Sequence, residues 1–374
     1  MRAKPSQSTF FCLTTLTLLL ATTPACAQDA ATLVAACESP DPAKSLPACT
    51  SIITGGDQYG AYLFEAYNNR AVAELAIGQA NASIQDTTQA IALNPENAKT
   101  YLNRARAFLA LNLNAQAIAD ATHALTLTPS NPDALSLRAA AEQSNNLDDL
   151  AIADANSALA ISPSDALALS VRGAAEGDKN LTDEDIADQS AAIALAPQDP
   201  HPYYMRAMAY DKKSNFNAEI ADETQVITLA PHDDTAYMNR AAAYESEGNF
   251  AAAIPDDTTA LTLNPHNNIA WNDRCWSRAH TGDLAEALAD CEKSLSLAPV
   301  ANTFDSTGFV YLKMHNFKAA AAAYSKSIAI APSFASSLYG RAIAEQLLGQ
   351  TGAAQADFTA AHHSDPTIAT IFWK

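Results

Sequence analysis

The residues of this chain with chemistry to offer are four of its six cysteines, a histidine pair, two charged series and a set of asparagines. Cys37, Cys49, Cys275 and Cys291 allow three disulfide pairings, of which the two short loops, 37–49 and 275–291, are the natural ones. A redox or metal role is the competing reading, but neither pair forms a CxxC and no histidine cluster accompanies them. His362 and His363 with Asp365 have the donor atoms to hold a metal ion. The sequence contains no HExxH, no glycine-rich phosphate loop and no GxSxG elbow. No catalytic residue, no cofactor and no physiological metal site is therefore expected, and the chain does not read as an enzyme. His123, His201, His232, His266, His280 and His315 read as polar surface or loop residues.

A repeat carries these side chains. Proline recurs at Pro95, Pro129, Pro163, Pro197, Pro231, Pro265, Pro299, Pro332 and Pro366, always 34 residues apart except for one step of 33 before Pro332. Each proline follows a segment such as AIALNP or AIAIAP, and proline resists continuing a helix, so each marks a helix end. Two helices fit inside each period. In residues 268–301 the stretches IAWNDRCWSRAHTG and LAEALADCEKSLSLAP show apolar residues at helical spacing, with Gly282 and Asp283 as break and cap. Small residues hold one position of the first helix (Ala71, Ala105, Ala139, Gly173, Ala207, Ala241, Cys275, Gly308, Ala342), where a bulky side chain would force two axes apart.

This pattern resembles the tetratricopeptide repeat, whose motif runs aromatic or Leu, small residue, loop Gly, two Ala positions and terminal Pro. Those slots read Trp271, Cys275, Gly282, Ala287, Ser294, Pro299 in one unit and Tyr237, Ala241, Gly248, Ala253, Ala260, Pro265 in another. The resemblance covers nine units over 64–368. It implies an all-α fold, a right-handed α-solenoid superhelix of stacked helix-turn-helix hairpins whose first helices line a concave groove. Departures are Asp185 and Glu219 in the first Ala slot of the second helix, and several units without the loop Gly, which would loosen the middle units. Pro255, inside a second helix, would kink it or disturb its early turns.

Arginine recurs at Arg70, Arg104, Arg138, Arg172, Arg206, Arg240, Arg274 and Arg341, and aspartate at Asp86, Asp120, Asp154, Asp188, Asp222, Asp256, Asp290 and Asp357. One unit breaks both series, with Thr307 and Ala323, so the two are expected to pair across one hairpin rather than form a basic stripe for an acidic ligand. Cys275 and Cys291 take facing slots of one hairpin, and Cys37 and Cys49 lie on two short helices of an N-terminal half-unit, so both pairs read as hairpin staples. The family geometry places two slots of each first helix toward the groove. They hold Asn68, Asn69, Asn103, Asn239 and Asn272, with Leu137, Val171, Tyr204 and Met205 in the middle units. Repeated Asn resembles the ladders by which some relatives hold a peptide backbone, because one amide both donates and accepts. Lysine is scarce on these slots, so a grip on an acidic tail is not expected, and a neutral or basic segment suits the acidic chain better.

The whole chain has 374 residues and a formal charge of −19, from 41 acidic and 22 basic residues. That balance argues against nucleic acid and against anionic lipid heads as partners. Residues 1–27 read as a signal peptide: Arg2 and Lys4, an apolar run at 10–21, then Ala25-Cys26-Ala27 as cleavage site. A lipid anchor on Cys26 is the alternative, although Thr23 fits a lipobox poorly. No later segment is apolar enough to span a membrane. Residues 28–63 form the stapled half-repeat, 64–368 the nine repeats, and 369–374 a short apolar tail that caps the stack or stays exposed as a hook. His362 and Ser364 then need no metal to explain them, because the last helix of a stack faces water. The chain is expected to be a non-catalytic scaffold or adaptor, exported to the periplasm or secreted, that binds an extended peptide in its groove. The alternatives are an envelope assembly or maintenance factor and a subunit recruiting substrate for a separate enzyme.

Overall fold

In a computed structural model of the protein, which describes residues 24–372, every second helix stops two residues ahead of a repeat proline. The basic start, the apolar run at 10–21 and Trp373 lie outside the described residues, while the cleavage site at 25–27 falls on the first helix. The chain divides into two units, 1–137 and 138–374. The first holds α1 (Pro24–Cys37), α2 (Pro42–Thr54), a 3-10 helix (Gly56–Tyr62), α3 (Leu63–Ala76), α4 (Ala80–Leu93), α5 (Ala98–Leu109) and α6 (Asn114–Leu127), and the division falls within α7 (Pro132–Gln143). The second holds α8 (Asp148–Ile161), α9 (Ala166–Asp178), α10 (Thr182–Leu195), α11 (Pro200–Lys212), α12 (Phe216–Leu229), α13 (Asp234–Ser246) and α14 (Phe250–Leu263). It continues with α15 (Asn268–Thr281), α16 (Leu284–Leu297), α17 (Ala301–Lys313), α18 (Phe317–Ile330), α19 (Ala335–Leu347), α20 (Thr351–Ser364) and α21 (Ile368–Ile371). No strand occurs among the described residues. Helices pair into hairpins, α3 with α4 and α5 with α6 in the first unit and α9 with α10 through α19 with α20 in the second, while α4 packs on α5 and, from α8 onward, each second helix packs on the first helix that follows it. Each unit is thus an all-α solenoid of stacked hairpins.

The turn inside each hairpin obeys one rule. Gly78, Asn112, Asn146, Asn180, Ser214, Gly248, Gly282, His315 and Gly349 all adopt left-handed backbone, with φ between 54° and 99°. A chain that must reverse after a helix needs one such residue, and Gly or Asn takes it at least cost. The middle units, expected to be looser for want of glycine, make the same turn with Asn and Ser. Pro255 does not shorten its helix either: α14 runs unbroken from Phe250, in register with Phe216 of α12.

Close approach of paired helices explains the small slot. Ala71, Ala105, Ala139, Cys275 and Ala342 have no exposed surface. Where the facing residue is large, the slot shrinks to glycine. A methyl group on Gly308 would lie 2.8 Å from the ring of Tyr324, which is wholly buried between Gly308 and Gly340. The 33-residue step is absorbed ahead of α17, whose N-cap Val300 has no side chain to offer where Asn267 caps α15. At the other end the tail folds back. Ile368 and Phe372 are buried in one cluster with Phe309, and the Phe372 ring meets Phe309 edge-on at 5.9 Å.

Candidate functional site

Asparagines on two successive first helices meet at the edge of the N-terminal hairpin. Asn68 and Asn69 on α3 and Asn103 on α5 border a cleft of about 340 Å³, walled by Glu38, Pro40 and Pro42 on one side and Val72 and Ala76 on the other. Lys99 and Arg106 stand over the same cleft. The Asn103 amide donates to the Asn68 oxygen at 2.9 Å, and its own oxygen accepts from Arg106 Nη1 at 3.2 Å. Both asparagines are buried, so their amides hold the two helices in register. Asn69 is half-exposed and makes no hydrogen bond among the described residues. Lys99 and Arg106 come from positions outside the two recurring slots, on which lysine is scarce.

A second cleft, of about 310 Å³, lies in the second unit between Tyr204, Met208 and Lys212 of α11, Glu219 and Glu223 of α12, and Asn239 of α13. Glu219 and Glu223 take slots that hold Ala117 and Ala121 in the second repeat. Burial pushes the Glu219 carboxyl up to about 7, with Asp211 adding like charge. Glu223 also rises to about 7 through burial, although Asn239 Nδ2 donates to it at 3.0 Å. Neighbouring hairpins continue this interior acidity. Asp257 is wholly buried with no hydrogen-bond partner for either oxygen, and burial, then Glu245 and Asp273, raise it to about 9. Glu245, raised to about 8 by burial, accepts from Ser277 at 2.6 Å. Glu219 stood out as an acid in an Ala slot, whereas the burial of Glu223 and Asp257 was not read from the sequence.

The remaining groove residues are dispersed. Leu137 packs in a core cluster with Tyr101 and Leu102, and Val171 is buried. Met205 is half-buried, and Asn272 donates to neighbouring Asp273 at 3.3 Å while its oxygen is buried without a partner. Only Asn68, Asn69, Asn103, Tyr204 and Asn239 of the nine border one of the two clefts. His280, read as a surface or loop residue, is stacked on Phe250 at 3.9 Å and Phe309 at 5.0 Å, and burial lowers it to about 4. Asp365 accepts from the Thr367 backbone and hydroxyl at 2.8 and 2.7 Å. Among the described residues no group of three His, Cys, Asp or Glu side chains is placed to hold a metal ion.

The charged series pairs within each hairpin. In all eight units Arg Nε and Nη2 fork onto the two oxygens of the Asp sixteen residues later, at 2.5–2.9 Å. The free Nη1 adds a bond the sequence reading missed. It donates to the preceding second helix, at Thr88, Asn156, Ser190, Thr224, Thr258 or Ser325, over 2.8–3.2 Å. The signal was available as a second 34-residue series of Thr, Ser and Asn. Disulfides join Cys37 to Cys49 and Cys275 to Cys291, with Cα atoms 4.8 and 5.4 Å apart.

Comparison with known proteins meets this geometry. Models of the tetratricopeptide repeat match residues 68–132, 102–166 and 234–267. No curated protein matches the sequence. A chain of the APC/C hetero-tetramer Cut9-Hcn1 is similar in structure at 14% identity and a TM-score of 0.53, over 93% of this chain and 87% of that one. The C-terminal part of a TPR repeat-containing protein from Cytophaga hutchinsonii is similar at 18% identity and a TM-score of 0.50, over 64% of this chain and 98% of that one. At such identities the likeness speaks for the fold alone. The repeat models identify residues 68–166 and 234–267 as tetratricopeptide repeats, and the stacked hairpins of each unit have the fold such repeats build. Repeats of this class form scaffolds for protein–protein interaction. No helix among the described residues is long and apolar enough to cross a membrane.

Proposed function

We propose that this chain is an exported, non-catalytic scaffold that holds an extended segment of another polypeptide against its first helices. The observation that carries the reading is the first cleft, where Asn69 stands unbonded beside Asn68, Asn103, Lys99 and Arg106 around open space. An extended backbone presents unpaired N–H and C=O groups, and an amide side chain answers both. The two cations favour a carboxylate in the segment at this point, from a side chain or a chain end. In the second cleft Tyr204 and the exposed Met208 supply apolar contact beside Asn239. Two disulfides support an oxidising compartment, as the leader-like residues 1–27 do.

The test is an array of random-sequence peptides probed with the full chain and with a variant carrying Asn69→Ala, Arg106→Ala and Asn239→Ala. Circular dichroism first establishes equal helicity. Peptides bound by the parent and at least tenfold more weakly by the variant support the clefts. Equal binding by both moves the site elsewhere, and an array on which the parent binds nothing overturns the reading.

A further inference from the structure

The hairpin α17–α18 lacks its arginine and its aspartate, and the space they would fill stands open. A cavity of about 340 Å³ lies among Glu292 of α16, Phe304, Thr307 and Tyr311 of α17, and Ala323 and Lys326 of α18. Other hairpins show what such a box holds. Arg104 lies 5.7 Å from the Tyr101 ring and 5.8 Å from Phe108, three residues before and four after it. Arg206 lies 5.9 Å from both Tyr203 and Tyr210, at the same two offsets. Phe304 and Tyr311 stand at those offsets from Thr307, so the aromatic walls persist while the guanidinium is gone. Thr307 does not replace it, since its hydroxyl bonds the Thr303 carbonyl in its own helix at 2.7 Å.

The negative partner has moved rather than vanished. Ala323 takes the aspartate slot, but Glu292 takes the slot from which Thr258 and Ser325 accept a bond from arginine Nη1 in other hairpins. Glu292 is exposed and forms no ion pair among the described residues. The Lys326 ammonium, also exposed, lies 5.4 Å from the Phe304 ring, where it rests on one wall of the box without pairing to Glu292.

We propose that this box receives an arginine side chain of a partner polypeptide, its guanidinium sandwiched by Phe304 and Tyr311 and forked onto Glu292, with Lys326 displaced into solvent. Arginine suits the box better than lysine, because a planar fork stacks on rings and meets a carboxylate with two donors. The formal charge of −19 favours the approach of a cationic segment. The inference rests on the reading of the chain as a polypeptide-binding scaffold, and it adds a site that shares no residue with either cleft.

The test uses the full chain and N-acetyl-arginine amide at millimolar concentration, with N-acetyl-citrulline amide as its neutral isostere, followed by the NMR signals of Phe304 and Tyr311. The arginine probe is expected to shift both rings, and citrulline to leave them unmoved. Lys326→Gln should tighten binding and Glu292→Gln weaken it, each by about threefold, as fits single charge pairs at an exposed site. Thr307→Arg with Ala323→Asp fills the box from within and should abolish the shift. Both single variants change exposed residues, so they test the box even if the double variant folds poorly. Equal response to citrulline, a shift that survives in a folded double variant, or silence from both parent and Lys326→Gln overturns the proposal. The probe has no backbone long enough for the clefts, and Asn69→Ala and Asn239→Ala should not change its response. Failure here therefore leaves the cleft reading standing, and failure on the peptide array leaves this one.

Discussion

A guanidinium with three nitrogens can serve two neighbours at once, and in these hairpins it does. Arg240 forks onto Asp256 at 2.7 Å by both prongs and gives its third nitrogen to Thr224 of the preceding hairpin at 3.0 Å. Arg240→Ala is expected to cost roughly 2 kcal/mol, and Asp256→Ala to add little once the arginine is gone. A urea double-mutant cycle measures the coupling, and additive losses would sink the pairing. Asp257 makes a different prediction. In the unfolded chain it titrates as an ordinary carboxyl near pH 4, whereas burial holds it protonated in the fold to about pH 9. The fold binds that proton more tightly, so its contribution is full below the unfolded value and is lost as pH rises through the folded one. Urea midpoints should fall from pH 5 to pH 9.5, and Asp257→Asn should flatten the fall. A parent midpoint that holds steady across that range contradicts the buried acid.

Helices and turns were the most legible level, because period, proline and small residues report directly on backbone and packing. Residues 268–301 gave both helices and the left-handed Gly282 turn from spacing alone. What escaped was conformation shared by unlike residues. Asn180, Ser214 and His315 make the same turn as Gly282, because the turn is imposed by the packed helices and the residue only sets its cost. Ser214→Gly should therefore stabilise the second unit by about 1 kcal/mol, while Asn180→Gly gains less, since Asn already tolerates positive φ. Equal gains at both positions, read from thermal midpoints, would contradict a strain account. Of the site, the asparagines of the first cleft were legible by recurrence. Lys99 and Arg106 were not, since they stand one turn away from the slots that recur.

At the scale of the molecule the two staples lie in different units, Cys37–Cys49 in one and Cys275–Cys291 in the other. Replacing each pair with serine should remove about 3 kcal/mol by the loop-closure argument. Hydrogen exchange should show the lost protection chiefly in the unit that held the bond, because repeat arrays share stability between nearest neighbours. Loss spread evenly over both units would mean that they unfold as one. The arginine that binds forward to its own hairpin and backward to a hydroxyl also bears on how such a chain is inherited. From α9 to α14 every hairpin carries the arginine and offers a hydroxyl, Ser190, Thr224 or Thr258, to the next one at the same offset. Unequal crossing-over that duplicates or deletes a 34-residue block there leaves every partner in place. The hairpin α17–α18 breaks that interchangeability, having neither the arginine nor the preceding hydroxyl, so copy number can drift on its N-terminal side while its own position stays fixed.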